Sequence, residues 1–444
     1  MNLPPNGKTR EEVRDEIEQA LSRDADWRGG KIWSLVYFAG DDVSDVLKDA
    51  YNAAFFTNGL GPGAFKSLRK FESEIISMTA NLLNVPEGTG NVTSGGTESI
   101  LMAVKTARDY ARAERGITAP EMVLPISAHP AFNKAAHYLG VKAIHAPLSS
   151  DFRVDVDAMR AAITPKTVLV VGSAPNYPFG TIDDIPAIGA LASENGIPAH
   201  VDGCLGGFLL PFVERLGYDV PPWDFRVPGV ASISADLHKY GFSARGASTV
   251  MYRDPAYRRH QFFAQTDWPG GLYGSPTMTG SKPGAAVAAA WAVLTYLGEA
   301  GYMRLAKVMM DTTRRIQDAI KSIDDIHVLG QPAMSVFAFG SDSLDIHMVG
   351  DALDTLGWHA DRQQTPASLH LMVTPAHAPV VDDFLRDLRE AVRKVKAGEQ
   401  APGGRAAVYG ALEKMDDRAP VREAVFGTLE KVTTLDTRGE RPLP

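Results

Sequence analysis

A single cysteine, Cys204, occurs in 444 residues, so no disulfide can form within the chain. That suits a reducing compartment. Positive charge is not in excess either: 45 Lys and Arg face 53 Asp and Glu, a formal net charge of −8 at pH 7. A mildly acidic chain argues against nonspecific nucleic-acid binding. Long hydrophobic runs are also missing. The longest, "AAVAAAWAVLTYL" at 285–297, is too short to span a bilayer and reads as a core helix. The polar opening "MNLPPNGKTREEVRDEIEQA" lacks the apolar stretch of a secretory signal. Internal repeats and low-complexity segments are absent. These absences predict a soluble, cytoplasmic protein with no membrane span, no nucleic-acid partner and no metal site.

What is present is an alternation. Between about 90 and 250, short apolar runs ("MVLPIS", "KAIHAPL", "TVLVVGSA", "PAHVDGC", "ASISA", "STVMYR") are separated by helix-like segments such as "DDIPAIGALASENG". Strands interleaved with helices predict crossover connections and a mostly parallel sheet. After about 284 the pattern turns helix-rich. It then adds "MSVFAFG", "LHLMVTP" and the helix-like "VVDDFLRDLREAVRKVKAG", a smaller C-terminal α/β unit. The expected division is an N-terminal helical segment at 1–60, a large domain at 61–300, and a small domain with its tail at 301–444.

Three stretches carry chemistry. In "NVTSGGTESILMAVK", Ser94, Gly95, Gly96 and Thr97 open a long helix. Glycines let backbone N–H groups approach an anion, the helix start adds positive potential, and the two hydroxyls add donors. A plain helix cap after a glycine turn has the same local pattern. In "PAHVDGCLGGF", Asp202 ends a buried strand; capping of the next segment is its ordinary reading. Cys204 reads as a small buried hydrophobe. His200 is counted with the ligand-contacting group, its alternative being a core histidine with one hydrogen bond. In "SISADLHKYGF", an apolar strand ends with Asp236, His238 and Lys239 close together, which is costly to bury unless the charges are paired or used.

An anion nest, a strand-end acid and a strand-end lysine are the parts that hold pyridoxal 5'-phosphate. The acid pairs with the pyridine nitrogen, and the lysine amine supplies the covalent attachment. Burial and nearby cations are expected to lower the Lys239 pKa, by up to about 3–5 units when fully buried. His129, in "SAHPAFNKAAHY", is placed to stack on the ring; capping the helix that follows is its alternative.

With these residues in view, the chain resembles the pyridoxal-phosphate-dependent group II decarboxylase superfamily. Within it, the chain is most similar to the sphingosine-1-phosphate lyases. The likeness runs from "GKIWSLVYFAG" through "VTSGGTES", "SAPNYPFGTID", "HVDGCLGGF", "SISADLHKYGFSARGAS", "FFAQTDWPGGLYGSP" and "GSKPG" to "AVYG". It implies fold type I, a large domain with a mostly parallel sheet between helices plus a smaller C-terminal α/β domain.

For the site, the resemblance implies that Lys239 holds the cofactor, Asp202 binds the ring nitrogen and His129 stacks on the ring. Gly95, Gly96, Thr97 and His238 surround the cofactor phosphate. Ser281 reaches the phosphate of a neighbouring subunit's cofactor, giving a homodimer with shared sites. Tyr37 and Arg245 bind the phosphate of a phosphorylated amino alcohol, the small-molecule substrate. The implied reaction is aldehyde-lyase cleavage of a Cα–Cβ bond, with Lys239, Tyr177 or the substrate phosphate as base; amino-acid decarboxylation is the alternative. Histidines of the family's lyases are replaced here by Gly61, Phe38 and Phe179, and a lysine by Arg245.

Overall fold

The computed structural model describes residues 3–433 except 62, 400, 402, 403, 414 and 416. The apolar runs become a seven-stranded sheet. Its strands are β1 (Thr89–Thr93), β2 (Glu121–Pro125), β3 (Lys142–Ala146), β4 (Thr167–Ser173), β5 (Ala199–Asp202), β6 (Val230–Ala235) and β7 (Ser248–Tyr252), in the order β1-β7-β6-β5-β4-β2-β3. From β3 to β6 every pairing is parallel; β7 alone runs against both neighbours. Every residue of β4 is buried, as expected where helices cover both faces. Side chains alternate between two cores: Val123 and Val170 face one, while Met122, Leu124, Leu169 and Val171 face the other. The carboxyl ends of β1, β2, β4, β5 and β6 share one edge, where open α/β sheets bind ligands.

The remaining strands are β8 (Phe263–Trp268), β9 (Gly271–Ser275), β10 (His327–Val328), β11 (Val336–Gly340), β12 (Asp361–Gln364) and β13 (Ala367–Met372). β8 and β9 form an exposed hairpin, and the last four make an antiparallel sheet, β10-β11-β13-β12. The helix Gly284–Lys321 links the two sheets, with a non-helical break at Gly298. Its residues through Met310 pack in the large core, while Ile316, Ala319 and Ile320 belong to the small one. The handover therefore falls inside this helix, beyond the division expected at 300–301.

The N-terminal segment is not a separate unit. Trp33 is fully buried in the small core, 4.4 Å from Phe384 and 4.1 Å from His377 ring to ring, whereas Val43 sits in the large core. Ile32 bridges to His359. The segment thus clasps both sheets, and it brings Ser34 and Tyr37 to their junction. No helix among the described residues is long and apolar enough to cross a membrane, and none of their side-chain groupings has the make-up of a metal site.

Candidate active site

At the carboxyl edge a cavity of about 320 Å³ is lined by Ser94–Thr97, His129, Tyr177, Asp202, His238 and Lys239, among others. The expected constellation is thereby brought together from five strand ends.

The nest is shaped by what its glycines exclude. A Cβ on Gly96 would lie 2.6 and 2.8 Å from the Asp236 oxygens and 2.9 Å from Cys204 Sγ; one on Gly95 would lie 3.2 Å from His238 Cε1. Glu98, buried at the third helical position, accepts from Ser94 N (2.6 Å) and from Met278 N and Thr279 N (2.8 and 3.1 Å). It thereby ties the nest to the loop carrying Ser281. Lys282, also buried, anchors that loop through both oxygens of Glu72 (2.7 and 2.8 Å). Ser281 itself is exposed and does not line its own chain's cavity. Among the described residues, the Ser94 and Thr97 hydroxyls take no hydrogen-bond partner, so both remain available to an anion.

Asp202 Oδ1 accepts from Cys204 N (3.0 Å) and Ser234 Oγ (3.2 Å), which leaves Oδ2 to meet a ligand. His200 is fully buried, so it does not touch the cavity, contrary to expectation. It lies two residues before Asp202 on the same strand, hence on the same face but one pleat deeper. Its ring nitrogens meet Ser232 Oγ (2.8 Å) and Ser234 Oγ (3.3 Å). Burial lowers its pKa to about 4 against the opposing pull of Asp202, so the ring is neutral. His200 thus supports Asp202 through Ser234.

His129 is mostly buried, which lowers its pKa. Its Nδ1 accepts from Ala131 N (3.1 Å), so the neutral ring carries its proton on Nε2. His238 is held by Ala247 N, which donates to its Nδ1 (3.3 Å).

Lys239 departs from expectation. Burial pulls its pKa down, but Asp236, Cys204 and Asp202 outweigh burial and the net displacement is upward. Lys239 Nζ lies 3.0 Å from Asp236 Oδ2. The carboxylate oxygens, not neighbouring cations, dominate the amine's surroundings, and the protein by itself holds an ammonium. Asp236 is 2% exposed, and its Oδ1 has no hydrogen-bond partner among the described residues. Its pKa is lowered: burial pushes it up, and Lys239 and His238 more than reverse that.

At the mouth, Arg245 is exposed. It donates to His238 O (3.3 Å) and sits 5.3 Å from the Tyr37 ring. Neither Arg245 nor Tyr37 lines the cavity proper. Tyr37 packs edge-on to Tyr240 at 5.0 Å. Burial pushes its phenol well up against the pull of Arg245.

Tyr177 Oη donates to Asp361 Oδ2 (2.8 Å). Burial, then Asp361, displaces its pKa well upward, so Tyr177 stays protonated and is a poor base by itself. A second hollow of about 620 Å³ shares His129 and Tyr177 and is walled mainly by apolar groups, including Ile126, Leu148, Pro178 and Phe179. Phe179 is 3% exposed and packs on Phe152. Phe38 instead packs edge-to-face with Trp27 at 5.7 Å and lies under the Arg28 guanidinium.

Residue-level reading missed Asp236 as the partner of Lys239, Glu98 as the tether, and Asp361. Glu98 had a signal, an acid at the third helical position behind a turn. Asp361 had none, because it arrives from the small sheet.

An orphaned carboxylate oxygen, a glycine nest that a Cβ would fill, a lysine amine and a strand-end carboxylate suit pyridoxal phosphate. The comparisons agree. Residues 32–341 match the "Pyridoxal-dependent decarboxylase conserved domain". The chain is 47% identical over 429 residues to a sphingosine-1-phosphate lyase of Arabidopsis thaliana, covering 94% of this chain and 79% of that one. It is 35% identical over 397 residues to an L-aspartate decarboxylase of Thermococcus kodakarensis, covering 88% and 100%. The solved structure of a sphingosine-1-phosphate lyase from Burkholderia pseudomallei superposes with a TM-score of 0.91 at 40% identity, covering 98% and 97%. The chain therefore belongs to the pyridoxal-dependent decarboxylase family, and within that family it groups with the sphingosine-1-phosphate lyases.

Proposed function

We propose that this protein is a pyridoxal-phosphate-dependent aldehyde-lyase that cleaves the Cα–Cβ bond of a phosphorylated sphingoid base. The products are a long-chain aldehyde and ethanolamine phosphate. The observation that carries this reading is the meeting of Lys239, Asp202, His129 and the Ser94–Thr97 nest in one cavity, in a chain so similar to lyases of that name.

When bound, pyridoxal phosphate supplies an electron sink for the pair released at Cα. Lys239 would hold it covalently, Asp202 would meet the pyridine nitrogen, and His129 would pack on the ring. Ser94, Gly95, Gly96, Thr97 and His238 would take the phosphate. Before the Lys239 amine can act as a nucleophile it must lose a proton, and Asp236 Oδ2, at 3.0 Å, opposes that loss by stabilising the ammonium. Arg245 and Tyr37 at the mouth suit a substrate phosphate, Arg245 by its guanidinium fork. The apolar hollow beside the cavity has the lining an alkyl chain requires.

Ser281, exposed on a loop fixed by Glu98 and Lys282, is offered to a second copy of the chain. The working unit is then a homodimer, which sedimentation would test. The single cysteine fits a cytoplasmic setting.

Amino-acid decarboxylation is the second reading. The 35% identity to an aspartate decarboxylase and the glycine at position 61 favour it. One experiment separates the two. Purified protein reconstituted with pyridoxal phosphate is given sphingosine 1-phosphate, then a panel of amino acids, with aldehyde and carbon dioxide both assayed. Aldehyde without carbon dioxide is expected; no aldehyde from any phosphorylated sphingoid base ends the lyase reading.

A further inference from the structure

Removal of the substrate's 3-hydroxyl proton needs a base. Tyr177 lines the cavity with Lys239. Its own proton is committed to Asp361 Oδ2 at 2.8 Å, so its oxygen is left as an acceptor toward a hydroxyl in the cavity. Asp361 opens β12 of the small sheet, and its Oδ1 accepts from Ser34 Oγ (3.0 Å) in the N-terminal clasp. Both carboxylate oxygens are thus oriented, one by each neighbouring part of the chain.

Tyr177 is gripped from the small sheet as well. His370 Nε2 donates to Tyr177 O (2.9 Å), its ring stacks on the phenol at 4.3 Å, and Gln363 Nε2 donates to Pro178 O (2.8 Å). His370 is paired across the strands with Asp361. Burial depresses the His370 pKa to about 4 although Asp361 pulls the other way, so a neutral imidazole faces the pair. Among the described residues, the other titratable groups facing Tyr177 include Lys239, Tyr240 and Tyr37, and His129 lines both hollows with it.

Resting on the lyase reading, we infer that Asp361 is the positioning residue that makes Tyr177 a base, by accepting the phenol's proton as Tyr177 takes the substrate's. The 3-hydroxyl O–H bond breaks and its proton bonds to Tyr177 Oη. The former Oη–H bond breaks and that proton bonds to Asp361 Oδ2. The oxygen's electron pair closes the aldehyde carbonyl as the Cα–Cβ bond breaks, and the pair of that bond stays at Cα. The cycle closes when the proton returns through Tyr177 to Cα. At no point does the phenol become a free phenolate, which is how a phenol with a raised pKa can still serve at neutral pH. The relay also makes catalysis depend on the small sheet being docked, because Asp361 comes from there.

Two measurements on Asp361→Asn test this. On cofactor-free protein, near-ultraviolet absorbance follows phenolate formation with pH. Asp361→Asn should bring one phenol down by about 1–3 pH units, the range a charge at this distance produces. That step should vanish in Asp361→Asn/Tyr177→Phe. On the reconstituted enzyme, kcat should fall about 10²-fold or more with KM within a few-fold. The double variant should be no slower than either single one. No new phenol step, a wild-type kcat in Asp361→Asn, multiplicative losses in the double variant, or loss of the cofactor absorbance would each overturn the relay. If the wild type releases no aldehyde, the lyase reading fails alone, and the phenol titration still decides whether Asp361 governs Tyr177.

Discussion

Replacing Asp236 by Asn removes the carboxylate charge 3.0 Å from Lys239 Nζ while keeping nearly the same shape. Both side chains are largely out of water, at 1% and 20% exposure. With an effective dielectric near 20, two unit charges at that distance attract by about 5.5 kcal/mol before desolvation is counted. Breaking such a pair strands the surviving ion, at a cost of about 3–5 kcal/mol. Asp236→Asn is therefore expected to lose about 3–5 kcal/mol of stability in urea unfolding of the cofactor-free protein at pH 7. Asp236→Asn/Lys239→Met, which leaves no stranded charge, should recover most of it.

The pH dependence has a defined sign. Lys239 has a raised folded-state pKa, so its share of stability is present below the unfolded value of about 10.5. It is lost as pH climbs through the folded value. Asp236 has a lowered one, so its share is present above the unfolded carboxyl range and lost as pH falls through the folded value. At pH 7 both are fully expressed. Pyridoxal phosphate should also react faster with Lys239 in Asp236→Asn at pH 7, because a larger fraction of amines is neutral. An Asn variant as stable as the wild type, or a double variant no better than the single, would refute the claim that the ion pair sets the state of the lysine.

Two further outcomes follow from the same coordinates. Gly96→Ala puts a methyl inside contact distance of Asp236 and Cys204, both buried, at about 1–3 kcal/mol of strain. It should weaken cofactor binding in a spectroscopic titration far more than Gly95→Ala; equal affinities would show that the nest tolerates the methyl. Burial holds His200, His370 and His377 neutral, with pKa values of about 4, so the unfolded chain binds more protons than the folded one between about pH 6.5 and 4. Burial instead raises the Asp183 pKa to about 6, which offsets one of the three. The unfolding free energy from urea titrations should fall steadily from pH 6.5 to 4.5, by about 1.4 kcal/mol per pH unit per unbalanced histidine; a flat profile would show that these rings are not neutral in the fold.

The sequence alone determined what is local or periodic. Runs such as "TVLVVGSA" announce strands buried on both faces. Asp202 and Lys239 stand at the ends of such strands, and parallel strands deliver their carboxyl ends to one edge, so the meeting of the acid, the lysine and the Ser94–Thr97 turn was legible before any coordinate. Side-chain direction within a strand was harder: His200 reads as a neighbour of the site, yet the two-residue period puts it one layer below Asp202. Other features required tertiary structure. The charge on Lys239 depends on the distance and angle to Asp236, which no spacing specifies. The union of Ser34, Tyr177, Asp361 and His370 depends on the N-terminal clasp and the small sheet docking together. Electrostatic energy varies with distances of a few ångströms, and residues far apart in the chain acquire such distances only when separate elements pack.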